Sequence, residues 1–316
     1  MGGRRNPIRR WLAATAALLL VKSFGAFPLS WSRGIARCAA RVVYLLVPRV
    51  RKVGMANLKL AFGDSLTDSE RKRILKQSVE NMCIVAAEFA RIPELRGDAL
   101  REQVAVRGQE HLPKDRGCVV IGAHIGNWEW AAAAMAGYGW KVAAVARPMD
   151  DLRLNDYVDR TRRGGGILTI PKARAGREMF DRLKEGFSIG IMVDQSPRRN
   201  GVPARFFEQP CWATIGPVML ALRGRVPVHA VSMVRDPDGR YTIEFTPEIP
   251  MARTRNLRED LVENVQRCQD AIEAIVRKHP GQWLWLHRRW KSRPYLEKEW
   301  DERLVRNAKE SDAPEE

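Results

Sequence analysis

The segment Val119–Trp130 constrains this chain more than any other. Val119, Val120 and Ile121 form a β-branched run that reads as a buried strand. Gly122 and Gly126 interrupt it, and the alanine-rich run from Ala131 to Met135 reads as a helix. His124 therefore stands at a strand end and Glu129 near a helix start. On one continuous helix, residues five apart differ by about 140° in azimuth, so they would not share a face. The two side chains meet only if the chain turns between them, which the glycines permit. A carboxylate that takes the Nδ1 proton of an imidazole fixes its tautomer, and the other ring nitrogen can then accept a proton from a hydroxyl. No serine or cysteine adjoins the pair, so the simplest chemistry is direct attack by a substrate alcohol.

From Val104 onwards, short apolar runs alternate with helical patterns. Strands are expected at Cys118–Ala123, Val142–Ala146, Ile167–Ile170, Ser188–Val193, Val226–Val234 and Tyr241–Phe245. Helices between several of them imply an α/β fold, a mixed sheet with its site loops at strand ends. No internal repeat, GxGxxG or phosphate-binding P-loop pattern occurs, and no nucleotide cofactor is indicated. Ahead of this region the chain reads as mainly helical. Thr67, Asp68, Ser69 and Glu70 form a capping box that starts a helix ending near Pro93. Leu257–His279 is an amphipathic helix with Leu261, Val265, Cys268 and Ile272 on its apolar side. Four segments follow: 1–32, basic and hydrophobic; 33–100, helical; 101–296, the α/β domain; and 297–316, a loose charged tail.

Charge narrows the partners. The chain carries 54 Lys and Arg against 37 Asp and Glu, a formal balance of +17. That suits an anionic membrane, a phosphorylated substrate or nucleic acid. No zinc-finger, helix-turn-helix or RNA-recognition signature appears, so nucleic acid is the weaker choice. The five cysteines are scattered and form no CxxC pair, which reads as free thiols in a reducing compartment with no metal site. Arg4, Arg5, Arg9 and Arg10 precede an apolar run from Trp11 to Val21 that resumes through Phe24, Phe27 and Leu29 to Trp31. The run is expected to embed in the inner leaflet without crossing it, with Trp11 and Trp31 near the headgroups. Residues 33–52 continue as a basic and apolar helix, with Arg33, Arg37 and Arg41 suited to a membrane surface.

Further candidates lie at other strand ends. Arg147 follows one strand, and Arg160, Arg162 and Arg163 lead into Gly164, Gly165 and Gly166, with Lys172, Arg174 and Arg177 beyond. As a cluster these cations suit phosphate or an acyl carbonyl oxygen. The strand from Ser188 ends in Asp194 and Gln195, and Asp194 can orient an arginine or bind a substrate. Thr214 is expected to cap a helix, and Arg288, Arg289 and Lys291 to meet anionic headgroups.

His124 to Glu129 resembles the HX4E motif of the bacterial lipid A biosynthesis acyltransferases. Asp194 with Gln195, and the run Gln282–Lys291, extend the resemblance over roughly residues 43–294. Asn57–Phe62 looks like that family's N-terminal signature, and Val202–Phe207 and Ala213–Pro217 resemble its loop and helix start. The resemblance implies a glycerophosphate-acyltransferase-like mixed sheet flanked by helices. It implies an enzyme of the cytoplasmic face of the bacterial inner membrane that needs no cofactor. Acyl carrier protein would be the donor, and a glycolipid precursor of lipid A the acceptor. The catalytic residues it implies are His124, Glu129 as the orienting carboxylate, Arg160 (or Arg162) and Asp194. It implies substrate contacts from Asn127, Arg147, Arg162 and Gln195. Other acceptors remain open: a lysophospholipid, an aminolipid or a mannosylated phosphoinositide. So do thioester hydrolysis and a non-catalytic basic protein that binds membranes or nucleic acid.

Overall fold

The computed structural model describes residues 7–173 and 175–311. Arg4, Arg5 and Arg174, and the acidic end of the tail with Asp312, Glu315 and Glu316, lie outside them. Helices come first: α1 (Pro7–Ala26), α2 (Leu29–Leu46), α3 (Pro48–Phe62) and α4 (Asp68–Glu88). The helix expected over 33–52 is two helices, because Pro48 has no N–H and keeps Val47 out of the helical region, at φ −111° and ψ 89°. The capping box is present in full: Thr67 accepts from the Glu70 N–H, and Glu70 returns a bond to the Thr67 N–H. After α4 the chain tightens into a 3-10 turn, Phe89–Glu94, that contains Pro93.

The α/β part begins with α5 (Gly97–Gln103) and β1 (Val104–Arg107). It continues through β2 (Cys118–Gly122), α6 (Trp128–Gly137), β3 (Val142–Ala146), α7 (Leu152–Gly164), β4 (Ile167–Pro171), α8 (Ala175–Lys184) and β5 (Ser188–Met192). A hairpin, β6 (Gly201–Phe206) and β7 (Gln209–Thr214), precedes α9 (Gly216–Gly224), β8 (Val228–Arg235), β9 (Tyr241–Phe245), α10 (Leu257–Lys278) and α11 (Pro294–Ser311). Seven strands form one sheet in the order β1-β9-β8-β2-β5-β3-β4. All pairs in it are parallel except β8 with β9.

The six expected strands are all present, and the expected α/β class holds. Three features differ. Residues 202–207, expected as loop, belong to the hairpin, whose two-residue turn is Phe207 and Glu208 at φ 53° and 60°. Thr214 ends β7 and is not the cap of α9, whose N-cap residue is Ile215. The tail expected to be loose from residue 297 is helical through Ser311.

Buried residues cover both sheet faces. On one, Val119, Ile121 and Ile189 meet Val218, Val265 and Ile272. On the other, Cys118 and Val120 meet Trp130, Ala134 and Ile92. The loop between β2 and α6 is fastened to its surroundings by the backbone. Gly126 N–H donates to the Gln282 carbonyl (3.1 Å), Asn127 N–H to that of Met233 (2.9 Å), and Leu284 N–H to that of His124 (3.0 Å). Gly126 sits at φ +55°, where a Cβ would overlap the Met233 carbonyl oxygen. Gly126→Ala should therefore cost more than about 2 kcal/mol, read as a lower midpoint in urea unfolding.

Candidate active site

Strand register brings the key side chains together. β2 and β5 are parallel neighbours, with Gly122 paired to Met192. His124 and Asp194 each lie two residues beyond that pair, so they emerge side by side at the same edge of the sheet. Asp194 Oδ1 is 2.9 Å from His124 Nδ1, and its Oδ2 accepts from the His124 backbone N–H at 2.8 Å. Trp283 Nε1 donates to Oδ2 as well, at 2.9 Å. An ionised carboxylate only accepts, so Nδ1 carries the proton and Nε2 of the neutral ring is left basic. The Asp194 side chain is 2% exposed and that of His124 20%, and His124 lines a cavity of about 1180 Å³. The Trp128 indole meets the imidazole edge-on, with centroids 5.0 Å apart.

Glu129 does not orient His124. Its carboxylate is held by both ends of a guanidinium, from Arg162 Nε at 3.0 Å and Arg162 Nη2 at 2.7 Å. A bidentate arginine pair has fixed geometry and a permanent cation, which explains why it captures Glu129. The orienting carboxylate is Asp194, which neither holds an arginine nor faces the cavity. Of the two arginines implied by the motif, Arg162 lines the cavity at 17% side-chain exposure. Arg160 points outward at 67% exposure and pairs with Asp156. Arg147 pairs with Asp150 on the cavity rim, and Gln195 also reaches the cavity wall. Asn127 is fully buried, caps α6 through Trp130 N–H and is not among the cavity-lining residues, so the structure gives it no substrate contact.

Other expectations change with burial. Arg289 is fully buried and bonds the Trp212 carbonyl and Gln269, so it cannot meet headgroups. Arg33 is buried against Glu88 because it shares the inner face of α2 with Ser32, Ala36 and Ala40. His287, overlooked as a site residue, lines the cavity and accepts the Ser196 N–H on Nε2 (3.1 Å). Burial pushes its pKa down and keeps the ring neutral for that task. Lys172, Arg198 and Arg199 also lie on the cavity wall.

Residues 4–292 match the profile of a family described as "Bacterial lipid A biosynthesis acyltransferase". The chain belongs to that family. A lipid A biosynthesis palmitoleoyltransferase of Escherichia coli (strain K12) is 27% identical over 257 residues, 78% of this chain and 80% of that protein. A phosphatidylinositol mannoside acyltransferase of Mycobacterium tuberculosis (strain CDC 1551 / Oshkosh) is 23% identical over 217 residues, 64% of this chain and 66% of that protein. Among solved structures, the 1-acyl-sn-glycerophosphate acyltransferase of Thermotoga maritima overlaps 84% of this chain and 98% of its own, at 18% identity and TM-score 0.37.

In this acyltransferase, burial pushes the His124 pKa down, but the Asp194 charge and hydrogen bond, with a smaller pull from Glu129, outweigh it and leave a net rise above 6.5. Burial likewise pushes Asp194 up, and the His124 charge and the three hydrogen bonds overcome it, drawing the carboxyl down to about 2. These are two views of one ion pair. Its stabilisation is lost as pH falls through about 2, where Asp194 protonates, and as pH rises through the raised pKa of His124. A base must be neutral to act, so with His124 in the role of general base the acid limb of activity would lie above pH 6.5. Asp194→Asn removes the charge that raises the imidazole and leaves the burial that lowers it. The His124 pKa, followed by NMR titration, should then fall below 6.5.

Proposed function

We propose that this acyltransferase moves a fatty acyl chain from acyl carrier protein to a hydroxyl of a lipid A precursor, at the cytoplasmic face of the bacterial inner membrane. The observation that carries the reading is the His124–Asp194 pair, whose imidazole lines a cavity that many apolar side chains also line. Val120, Ala144 and Val142 from the sheet, Met135 from α6 and Val85 from α4 line its apolar part. Such walls suit an acyl chain. Lys172, Arg198 and Arg199, which line the same cavity, suit a phosphorylated head.

In this mechanism His124 Nε2 removes the proton of the acceptor hydroxyl as its oxygen attacks the thioester carbonyl. Asp194 steadies the imidazolium. Arg162, held in place by Glu129, lends N–H groups to the oxygen that gains charge. When the C–S bond breaks, the proton returns from His124 to the leaving thiolate. No covalent acyl-enzyme is needed.

The membrane reading rests on the outer faces of α1 and α2. Leu19, Leu20, Trp31, Leu45 and Leu46 are all more than half exposed there, at 56–73%. No helix among the described residues is long and apolar enough to cross a membrane. These faces suit a helix pair lying in the interface, and the surplus of basic residues adds attraction to anionic lipid. Trp31→Glu with Leu45→Glu should reduce co-flotation with phosphatidylglycerol vesicles while a soluble-substrate assay retains turnover.

The deciding test incubates purified protein with acyl-acyl carrier protein and lipid A precursor, with products read by mass spectrometry. One added acyl chain, lost by roughly 10²–10⁴-fold in His124→Ala, supports the reading. Arg162→Met should lose about as much as removal of an oxyanion donor, roughly 10²-fold, and Arg160→Met should lose little. The similarity to a phosphatidylinositol mannoside acyltransferase favours one second reading, a mannosylated phosphoinositide acceptor. Product formed only from that lipid would keep the chemistry and replace the acceptor. Free fatty acid formed without any acceptor would make the protein a thioesterase. Salt-sensitive polymer binding, with no turnover of any lipid, would overturn an enzymatic role.

A further inference from the structure

Glu88 is a carboxylate at zero exposure in the last turn of α4, outside the cavity and unused by the chemistry above. Each of its side-chain oxygens is engaged. Oε1 accepts from Arg33 Nε of α2 at 2.6 Å. Oε2 accepts from the Asn127 amide at 2.6 Å and from the Tyr241 hydroxyl at 2.7 Å. Its backbone carbonyl takes the Trp130 indole N–H at 3.0 Å.

The consequence falls on Asn127. A carboxylate offers no donor, so the amide must turn its NH₂ towards Glu88 and its oxygen the other way. That oxygen then accepts the Trp130 backbone N–H at 3.0 Å and starts α6. The two residues between the cap and Trp130 are Trp128, whose ring meets His124, and Glu129, which holds Arg162. The acceptor oxygens of Glu88 thus decide how Asn127 faces, and Asn127 decides where the cavity-facing first turn of α6 begins. Packing alone does not require an ion pair here, since well-packed apolar side chains often replace a buried pair without loss of stability. What an apolar residue cannot do is dictate the orientation of the Asn127 amide.

We propose that Glu88, itself fixed by Arg33, is a positioning residue that sets the first turn of α6 through Asn127 and so aligns Trp128 and Glu129 with His124. The proposal rests on the acyl-transfer reading for its kinetic consequence but not for its structural one.

Two variants test it in the full-length protein: Glu88→Gln, which keeps the shape and removes the charge, and Asn127→Ser, which keeps a good helix cap but cannot reach Glu88. Three readouts are taken: amide hydrogen exchange over Trp128–Ala131, kcat and KM for acyl transfer, and melting temperature. Both variants should exchange faster over this turn and lose roughly 10- to 100-fold in kcat, with KM within about twofold of the parent. Because Asn127→Ser keeps the cap, its melting temperature should stay close to that of the parent, which separates misplacement from unfolding. A double variant, Glu88→Gln with Asn127→Asp, restores one donor facing one acceptor and should recover part of kcat. Unchanged exchange in both single variants overturns the proposal, as does unchanged kcat per folded molecule, whatever happens to melting temperature. Exchange needs no substrate. A parent protein inactive on every acyl acceptor would defeat the function proposed above, and the exchange result would still decide whether Glu88 sets the turn.

Discussion

The structure depends on the burial of one charge. Asp194 lies two residues past the end of β5, with its side chain almost wholly withdrawn from water. An isolated carboxylate there would cost several kcal/mol, and removing one partner from such a pair typically costs about 3–5 kcal/mol. Three donors satisfy it, and each comes from a segment that must itself be fixed. Two belong to His124, which ties the loop after β2 to the end of β5. The third belongs to Trp283, which draws the stretch after α10 back across the top of the sheet. That stretch is then fastened along its length. Ser78 bonds the Trp283 carbonyl, Asn81 the Gln282 and Gly126 carbonyls, and Asn57 the Trp285 and His287 carbonyls. The N-terminal helices and the α/β part of the chain are joined here by these side-chain-to-backbone hydrogen bonds.

Aromatic packing supports the same place from the other side. Trp283 and Trp285 are fully buried and meet edge-on, with centroids 4.6 Å apart. Phe206 at the end of β6 and Phe207 in the hairpin turn pack against them, Phe62 from the end of α3 packs against Phe207 and Trp285, and Trp290 closes the group. Pairs of this kind add about 0.5–1.5 kcal/mol each beyond the area they bury. The cluster explains why the hairpin turn contains no glycine: Phe207 accepts a positive φ because its ring is needed in the core. It also explains Arg289, whose guanidinium lies over the Phe206 ring and bonds a strand carbonyl instead of facing a membrane.

What the sequence disclosed follows the range of each interaction. The capping box at Thr67, the six strands and the long amphipathic helix depend on residues a few positions apart, so their patterns survive in one dimension. The resemblance drew attention to His124, Glu129, Asp194 and Arg162, all of which belong to the pairs that shape the site. What could not be read was who pairs with whom. Glu129 is five residues from His124 and Asp194 is seventy away. Only the adjacency of β2 and β5 makes the distant carboxylate the near one. The same limit hid Arg33, which in a run of arginines looks like every other surface cation until α2 is seen to turn it inward. The hairpin was missed for a local reason: Phe207–Glu208 carries none of the glycine or asparagine that normally marks a two-residue turn.

The division of labour between the two carboxylates has a geometric cause. A side chain that is to fix an imidazole must control both its position and its plane. Asp194 does so by gripping the backbone N–H and the ring nitrogen of the same residue with its two oxygens. Glu129, on the first turn of a helix, would have to reach back past a glycine turn to touch either. It would also be working at 15% exposure, where water screens a charge more than at the 2% of Asp194. The longer, wetter carboxylate is better matched to a guanidinium, whose planar fork meets both of its oxygens and which remains charged throughout. The five-residue step from His124 to Glu129 therefore sets both side chains in the lining of one cavity. One is an imidazole held by a carboxylate from beyond the next strand, and the other is a glutamate that holds Arg162.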